Sequence, residues 1–385
     1  MRWAAVVLCL LLGECCLAFT DWDQYQIVWQ DEFDFFDGGK WQHEVTATGG
    51  GNSEFQLYTQ DSRNSFVRDG KLFIKPSLLA DNNNPQTGQP YGTEFMNNGV
   101  LDVSANYGAC TNTDNNGCYR TGAAGNIPPV MSARLRTFQK FSFTFGRVVV
   151  RAKMPVGDWL WPAIWLLPEN WVYGGWPRSG EIDIIEAIGN RDFKSTSGDF
   201  LGIHKMGSTL HWGPAWDDNR FWKTSLPKHD DGRNYGDNFH TFYFDWSPNG
   251  LRFFIDDENQ ALLDVPYPLI DKNPSWVNFW EWGKPWKPQY ENDNPWARGS
   301  NLAPFDQAFH FILNVAVGGT NGFIPDGCIN RGGDPALQKP WSNGDWYVTA
   351  MQKFYNARWN WKWTWDNEGD NNAMQVDYIR VYKHI

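Results

Sequence analysis

Apolar and polar positions alternate along short runs bounded by Gly, Asn, Asp and Pro, which is the pattern of half-buried β-strands. Such runs occupy 71–75 (KLFIK), 145–154 (FGRVVVRAKM), 240–246 (HTFYFDW), 251–255 (LRFFI) and 376–382 (VDYIRVY). Long helices are not announced anywhere. Strands at this spacing predict an all-β fold, an antiparallel sandwich or barrel, a class that often runs past about 200 residues as one domain. Three stretches, 80–92, 106–128 and 271–300, are too long and too polar for strands. They are read as large rim loops, where function concentrates. No internal repeat or linker divides the chain, so residues 19–385 are expected to form a single domain.

Residues 1–18 stand apart from that pattern. Arg2 precedes an apolar stretch from Ala4 to Leu12, and Cys16 and Ala18 offer small residues where signal cleavage is read. A removed signal peptide and a secreted protein are expected. Of the six cysteines, Cys110, Cys118 and Cys328 then remain. Cys110 and Cys118 flank TNTDNNG, a turn-forming stretch that predicts a small disulfide-closed loop in an oxidising compartment. Cys328 is read as a small buried hydrophobe, with an intermolecular bridge left open.

Composition narrows the function classes. The net charge of −11 argues against a nucleic-acid partner, which needs clustered Lys and Arg. Aromatics make up 17% of the chain against 20% charged residues, and that balance excludes extensive disorder. No apolar run reaches the roughly 20 residues of a membrane span. Zinc-type spacings such as CxxC or HExxH are missing, so no catalytic metal is expected.

The segment that carries chemistry is 180–190, GEIDIIEAIGN. Its Ile-rich run between two glycines is read as a strand. Glu181 and Asp183 stand two apart and share a face. Strict alternation puts Glu186 on the other face, and a one-residue β-bulge at Ile184-Ile185 brings it back. Three carboxyls then crowd one face, and like charges that close oppose ionisation of all three. One can be held as an acid while another stays charged, as a glycosidase requires. A solvated strand edge with its polar face in water is the competing reading of these eleven residues.

The flanks decide between them. GDWLWPAIWLLPEN (157–170) and GGWPRSGEIDIIEAIGN (174–190) resemble the active-site signature of glycoside hydrolase family 16, laminarinase branch. DEFD (31–34), GGGNSEFQLYT (49–59), SARLRT (132–137), STLHWGP (208–214), FHTFYFDWSPNGLRFFIDD (239–257), APFDQAFHFILNVAVGGTNGF (303–323) and MQVDYIRVY (374–382) resemble further family segments, in family order. The resemblance covers nearly all of the chain after residue 18. It implies a β-jelly-roll sandwich of two curved antiparallel sheets with a concave glycan cleft.

The resemblance also implies roles. Glu181 is expected as nucleophile, Glu186 as general acid/base, and Asp183 as the group that tunes Glu181. Retention of configuration follows, with carboxyl groups roughly 5 to 5.5 Å apart. Trp165 and Trp176 are expected as cleft walls against which sugar C–H faces pack. His211, Asn52 and Arg134 are expected near the sugar, although Arg134, Glu54, Gln56 and Tyr58 fit hydrogen-bond support beneath the cleft equally well. A structural Ca²⁺ held by Asp377, Gly70 and Glu32 is implied too, of the oxygen-ligand type; Asp377 could instead cap a turn or pair with Arg380. The expected partner is a β-1,3-glucan polysaccharide or oligosaccharide, bound by a monomer. Two function classes stay open, a retaining endo-β-1,3-glucanase and a non-catalytic glucan recognition protein. Possession of Glu181, Asp183 and Glu186 favours the enzyme.

Overall fold

The computed structural model describes residues 24–226, 232–266 and 278–385. The signal-peptide expectation, 1–18, lies outside the described residues, as does the start of the third rim loop.

Fourteen strands build two large sheets and are numbered here in chain order. They are β1 (Tyr25–Asp31), β2 (Gln42–Glu44), β3 (Ser65–Arg68), β4 (Lys71–Ile74), β5 (Arg134–Arg136), β6 (Gly146–Lys153) and β7 (Leu160–Pro168). The chain continues with β8 (Glu181–Ala187), β9 (Met206–His211), β10 (His240–Ser247), β11 (Gly250–Ile255), β12 (Leu263–Pro266), β13 (Phe309–Val317) and β14 (Met374–His384). The first sheet runs β12-β11-β10-β6-β14-β4-β3, and β1 pairs with β14 beside β4. The second runs β9-β8-β7-β13-β5-β2, antiparallel throughout. This is the expected jelly-roll-type sandwich. All five alternating runs are strands, each within a few residues of its expected bounds.

Alternation explains the layering. Val148, Val150 and Ala152 of β6, Phe242, Phe244 and Trp246 of β10, and Ile379 and Val381 of β14 turn inward, where they meet Ile164 and Leu166 of β7 and Phe309, Phe311 and Leu313 of β13. Burying a side chain of this size stabilises the fold by about 1.5–3 kcal/mol. Trp246 adds a polar anchor, donating Nε1–H to the Phe305 carbonyl at 2.9 Å.

The second sheet sends its other face outward, and register aligns the side chains there. Residues directly opposite one another in antiparallel strands share a face. One row crosses the sheet as Glu44, Arg134, Asn314, Ala163, Glu186 and Gly207. The neighbouring row contains Trp165, Asp183 and Thr209. Glu181 pairs with His211 at the end of β8.

Outside the two large sheets, the stretch 106–128 carries the expected Cys110–Cys118 disulfide, with 5.7 Å between Cα atoms, but it is not loop throughout, since Tyr119–Thr121 pairs with Val100–Asp102 as a short ribbon. Cys328 is half-buried against the core. Short helices that the strand pattern does not announce also lie outside the sheets. Residues 347–366 form three successive helices, Tyr347–Asn356, Arg358–Trp361 and Trp363–Asp366. Ala350, Met351, Phe354 and Tyr355 make the buried stripe of the first, spaced at helical intervals.

The calcium expectation does not fit the residues as placed. Strand pairing does bring Glu32, the Gly70 turn and Asp377 to one region of the first sheet. Both carboxylates are already neutralised, however: Glu32 accepts two bonds from Arg380 at 2.8 Å, and Asp377 pairs with Arg151. A backbone carbonyl with two guanidinium-bound carboxylates is not a donor set open to a hard cation. Asp377 does not take Arg380 as its partner either.

Candidate active site

The site grows from one irregularity in β8. Asp183 pairs with Thr209 and Glu186 with Gly207, so three steps on β8 oppose two on β9. On the β7 side, Ile164 and Trp165 oppose Ile185 and Asp183. The bulge therefore sits at Ile184-Ile185, where the sequence places it. Both isoleucines stay in the core, at 1% and 0% exposure, while Glu181, Asp183 and Glu186 emerge on the same outward face.

Each carboxyl has its own support. Trp176 donates Nε1–H to Glu181 Oε2 at 2.8 Å. His211 Nε2 lies 3.2 Å from Asp183 Oδ2 and 3.7 Å from Glu181 Oε1. The orientation of that imidazole follows from Asn219. Its Oδ1 accepts the backbone N–H groups of Trp212 and Phe221, which leaves Nδ2 to donate to His211 Nδ1 at 2.8 Å. His211 then presents Nε2–H to the carboxyls. Asp183, 2% exposed, also shares a hydrogen bond with Glu181.

Glu186 takes its support from Trp161, whose Nε1–H reaches Oε1 at 2.9 Å. Phe323 stacks on Trp161 with centroids 4.0 Å apart and fixes the indole plane. Trp161 and Phe323 were not singled out from the sequence. A signal existed for Trp161, which lies four residues before Trp165 on β7 and so shares its face. None existed for Phe323 or Asn219, which arrive from loops.

The remaining expected residues divide. Trp165 faces outward, its Nε1–H bonded to Asn314 Oδ1 at 2.8 Å. Arg134 stacks on that ring at 4.7 Å and pairs with Glu44 at 3.3 Å, so it supports the cleft wall. Asn52 donates to Glu54 Oε1 and accepts from Asn321. Glu54 is buried and also takes bonds from Gln56 and Tyr58, so Asn52, Gln56 and Tyr58 together satisfy its carboxylate beneath the cleft. Gly50, at φ +61°, lies so close that a Cβ there would stand 2.2 Å from Glu54 Oε2.

Electrostatics follow from this crowding. Burial and then the Asp183 charge push Glu181 up to about 8, opposed by His211 and the Trp176 donor. Burial alone pushes Asp183 to about 8. Glu186 is raised to about 8 by burial and then by Asp183, with Glu54 adding to the rise. The three carboxyls therefore titrate as a coupled set that resists full ionisation, and the donors from Trp176 and His211 favour Glu181 as the member that ionises first. The atoms of Glu181, Asp183 and His211 lie within 4.8 Å of one another, and this is the one His/Cys/Asp/Glu group among the described residues close enough to hold a metal ion. Chemically, the face offers a carboxylate, a carboxylic acid and flanking aromatic planes.

Comparison with known proteins agrees with that chemistry. The profile described as Glycosyl hydrolases family 16 matches residues 104–297. The chain is 45% identical over 365 residues to a β-1,3-glucan-binding protein of Penaeus monodon, covering 93% of this chain and 90% of that protein. It is 30% identical to a glucan endo-1,3-β-glucosidase of Cryptopygus antarcticus, covering 91% of this chain and 97% of the relative. Several insect relatives are longer, and the chain spans 64% of their length. Among solved structures, the laminarinase of Rhodothermus marinus superposes with a TM-score of 0.51 at 25% identity, covering 94% of this chain and 98% of that one. With the bulged E-x-D-x-x-E strand, its tryptophan donors and these relatives in agreement, the chain belongs to the family 16 glycosyl hydrolases.

Proposed function

We propose that the protein is a secreted, retaining endo-β-1,3-glucanase. The observation that carries this reading is the placement of Glu181, Asp183 and Glu186 on one face, with Trp176 donating to Glu181, Trp161 donating to Glu186 and His211 set between Glu181 and Asp183. Glu181 Oε attacks the anomeric carbon as the glycosidic C–O bond breaks, and the Glu186 proton passes to the leaving oxygen. Glu186, now a carboxylate, takes a proton from water, which attacks the same carbon and frees Glu181. Asp183, whose ionisation burial opposes, hydrogen-bonds Glu181 and tunes how readily it gives up its proton. Trp165 and Trp176 supply flat apolar surface for sugar C–H faces. Secretion is supported by the leader-like first 18 residues and the Cys110–Cys118 disulfide.

The names of several relatives favour a second reading, glucan recognition without cleavage. Reducing-sugar release from laminarin separates the two. Cleavage is expected from the wild-type protein, with loss of at least about a thousandfold in Glu181→Gln and Glu186→Gln while laminarin binding persists. Binding without cleavage by the wild type would establish the recognition reading.

A further inference from the structure

Residues 216–226 run outside β9, the edge strand next to the catalytic strand. Leu210 N–H bonds the Thr224 carbonyl at 3.0 Å and Leu226 N–H bonds the Ser208 carbonyl at 2.8 Å, so this segment extends the second sheet beyond β9. It is held rigidly. Arg220 pairs with buried Asp218, donates to the Gly283 and Pro285 carbonyls at 2.9 and 2.6 Å, and stacks 4.7 Å over Trp286. Asp218 also accepts the Lys287 N–H at 2.8 Å, and Asp217 accepts from Tyr290 at 2.9 Å.

Upon this braced segment three large aromatics face solvent: Trp216 at 76% exposure, Phe221 at 43% and Trp222 at 61%. Their neighbours Trp212 and Trp286 are buried, so the chain had an aromatic core available and left these three out of it. Exposed apolar area of this kind marks a binding surface. Continuity names the occupant. Trp176, the donor to Glu181, lies 5.6 Å from the His211 ring, and His211 lies 5.4 Å from Phe221. A row of aromatic planes thus leads from the nucleophile across the sheet edge onto the exposed segment.

We infer that Phe221, Trp222 and Trp216 form a distal subsite that binds β-1,3-glucosyl units several residues away from the cleaved bond, making the protein selective for long chains. The inference rests on the glucanase reading for its ligand class, and its chemistry is the packing of sugar C–H faces on aromatic planes. Because Arg220 and Asp218 hold the segment in place beforehand, little ordering cost falls on binding.

The test compares Trp216→Ala/Trp222→Ala with the wild type on laminarin and on laminaritriose, leaving His211 and its neighbour Phe221 intact. Each aromatic contact contributes about 0.5–1.5 kcal/mol and the variant removes two, so KM for laminarin is expected to rise roughly 5- to 150-fold with kcat unchanged. Values for laminaritriose stay the same, because the trisaccharide does not reach the subsite. The same fall in laminarin affinity is expected by calorimetry in a Glu181→Gln background, which turns nothing over. An unchanged KM for laminarin, or equal losses on both substrates, would overturn the subsite. If the wild type cleaves no laminarin but the double variant still weakens binding in the Glu181→Gln background, the subsite stands and the glucanase reading fails alone.

Discussion

The carboxyl chemistry rests on single donors, and Trp161 is the most exposed to test. Its N–H stabilises the ionised form of Glu186, so Trp161→Phe keeps the ring on Phe323 but removes that preference. Glu186 already sits near 8, and the substitution should raise it by roughly one unit. The acid must be protonated to act, so activity falls as pH rises through the Glu186 value. The alkaline limb of the kcat/KM profile should therefore move to higher pH in Trp161→Phe. An unmoved limb would show that Trp161 does not govern Glu186. At this scale the sequence was legible where function rides on a strand: Glu181, Asp183 and Glu186 are fixed by spacing, and Trp165 and Trp176 by their flanks. Trp161 was readable by parity. Phe323 and Asn219 were not, because their contacts depend on how loops fold back across long stretches of chain.

Among elements, β8 shows how much a period of two can reveal. The double isoleucine forces a bulge because both side chains are apolar and the core accepts both, and Glu186 returns to the outward face as a result. Inserting one alanine between Ile185 and Glu186 should break that parity and send Glu186 inward. Loss of all activity is expected, together with a melting temperature lower than that of Glu186→Gln, since the glutamate would then compete for core space. Activity retained in the insertion would refute the bulge as the device that assembles the site. The same logic explains the helices at 347–366. Their apolar stripe spans only ten residues in the first helix and is followed by RWNWKWTWD, whose alternating tryptophans mimic a strand pattern. Trp361 and Trp365 face the core and Trp359 faces water, a helical arrangement that tertiary packing selects. The calcium expectation came from resemblance alone, and each arginine that occupies a carboxylate, Arg380 on Glu32 and Arg151 on Asp377, lies far in sequence from the group it pairs with.

At the scale of the molecule, the active site works against stability. In the unfolded chain the trio loses its protons near pH 4, whereas in the fold they are held to about 8. Between those values the folded state binds more protons, so the stabilisation these groups allow is fully present below about pH 4 and is lost as pH rises through 8. Asp183→Asn removes one titrating carboxyl and relieves both neighbours. It should stabilise the protein relative to wild type by on the order of 1–3 kcal/mol at pH 8 and by much less at pH 4.5. Thermal unfolding at the two pH values measures this, and an equal difference at both would show that Asp183 is not protonated in the fold.

The account's central claim is that Glu181 and Glu186 act together on one face of a bulged strand by double displacement. Proton NMR of the first products released from laminarin, recorded before mutarotation, tests it most directly. Attack by Glu181 inverts the anomeric centre and attack by water inverts it again, so the β anomer should come first. Initial release of the α anomer would contradict the mechanism and, with it, the roles given to the two glutamates.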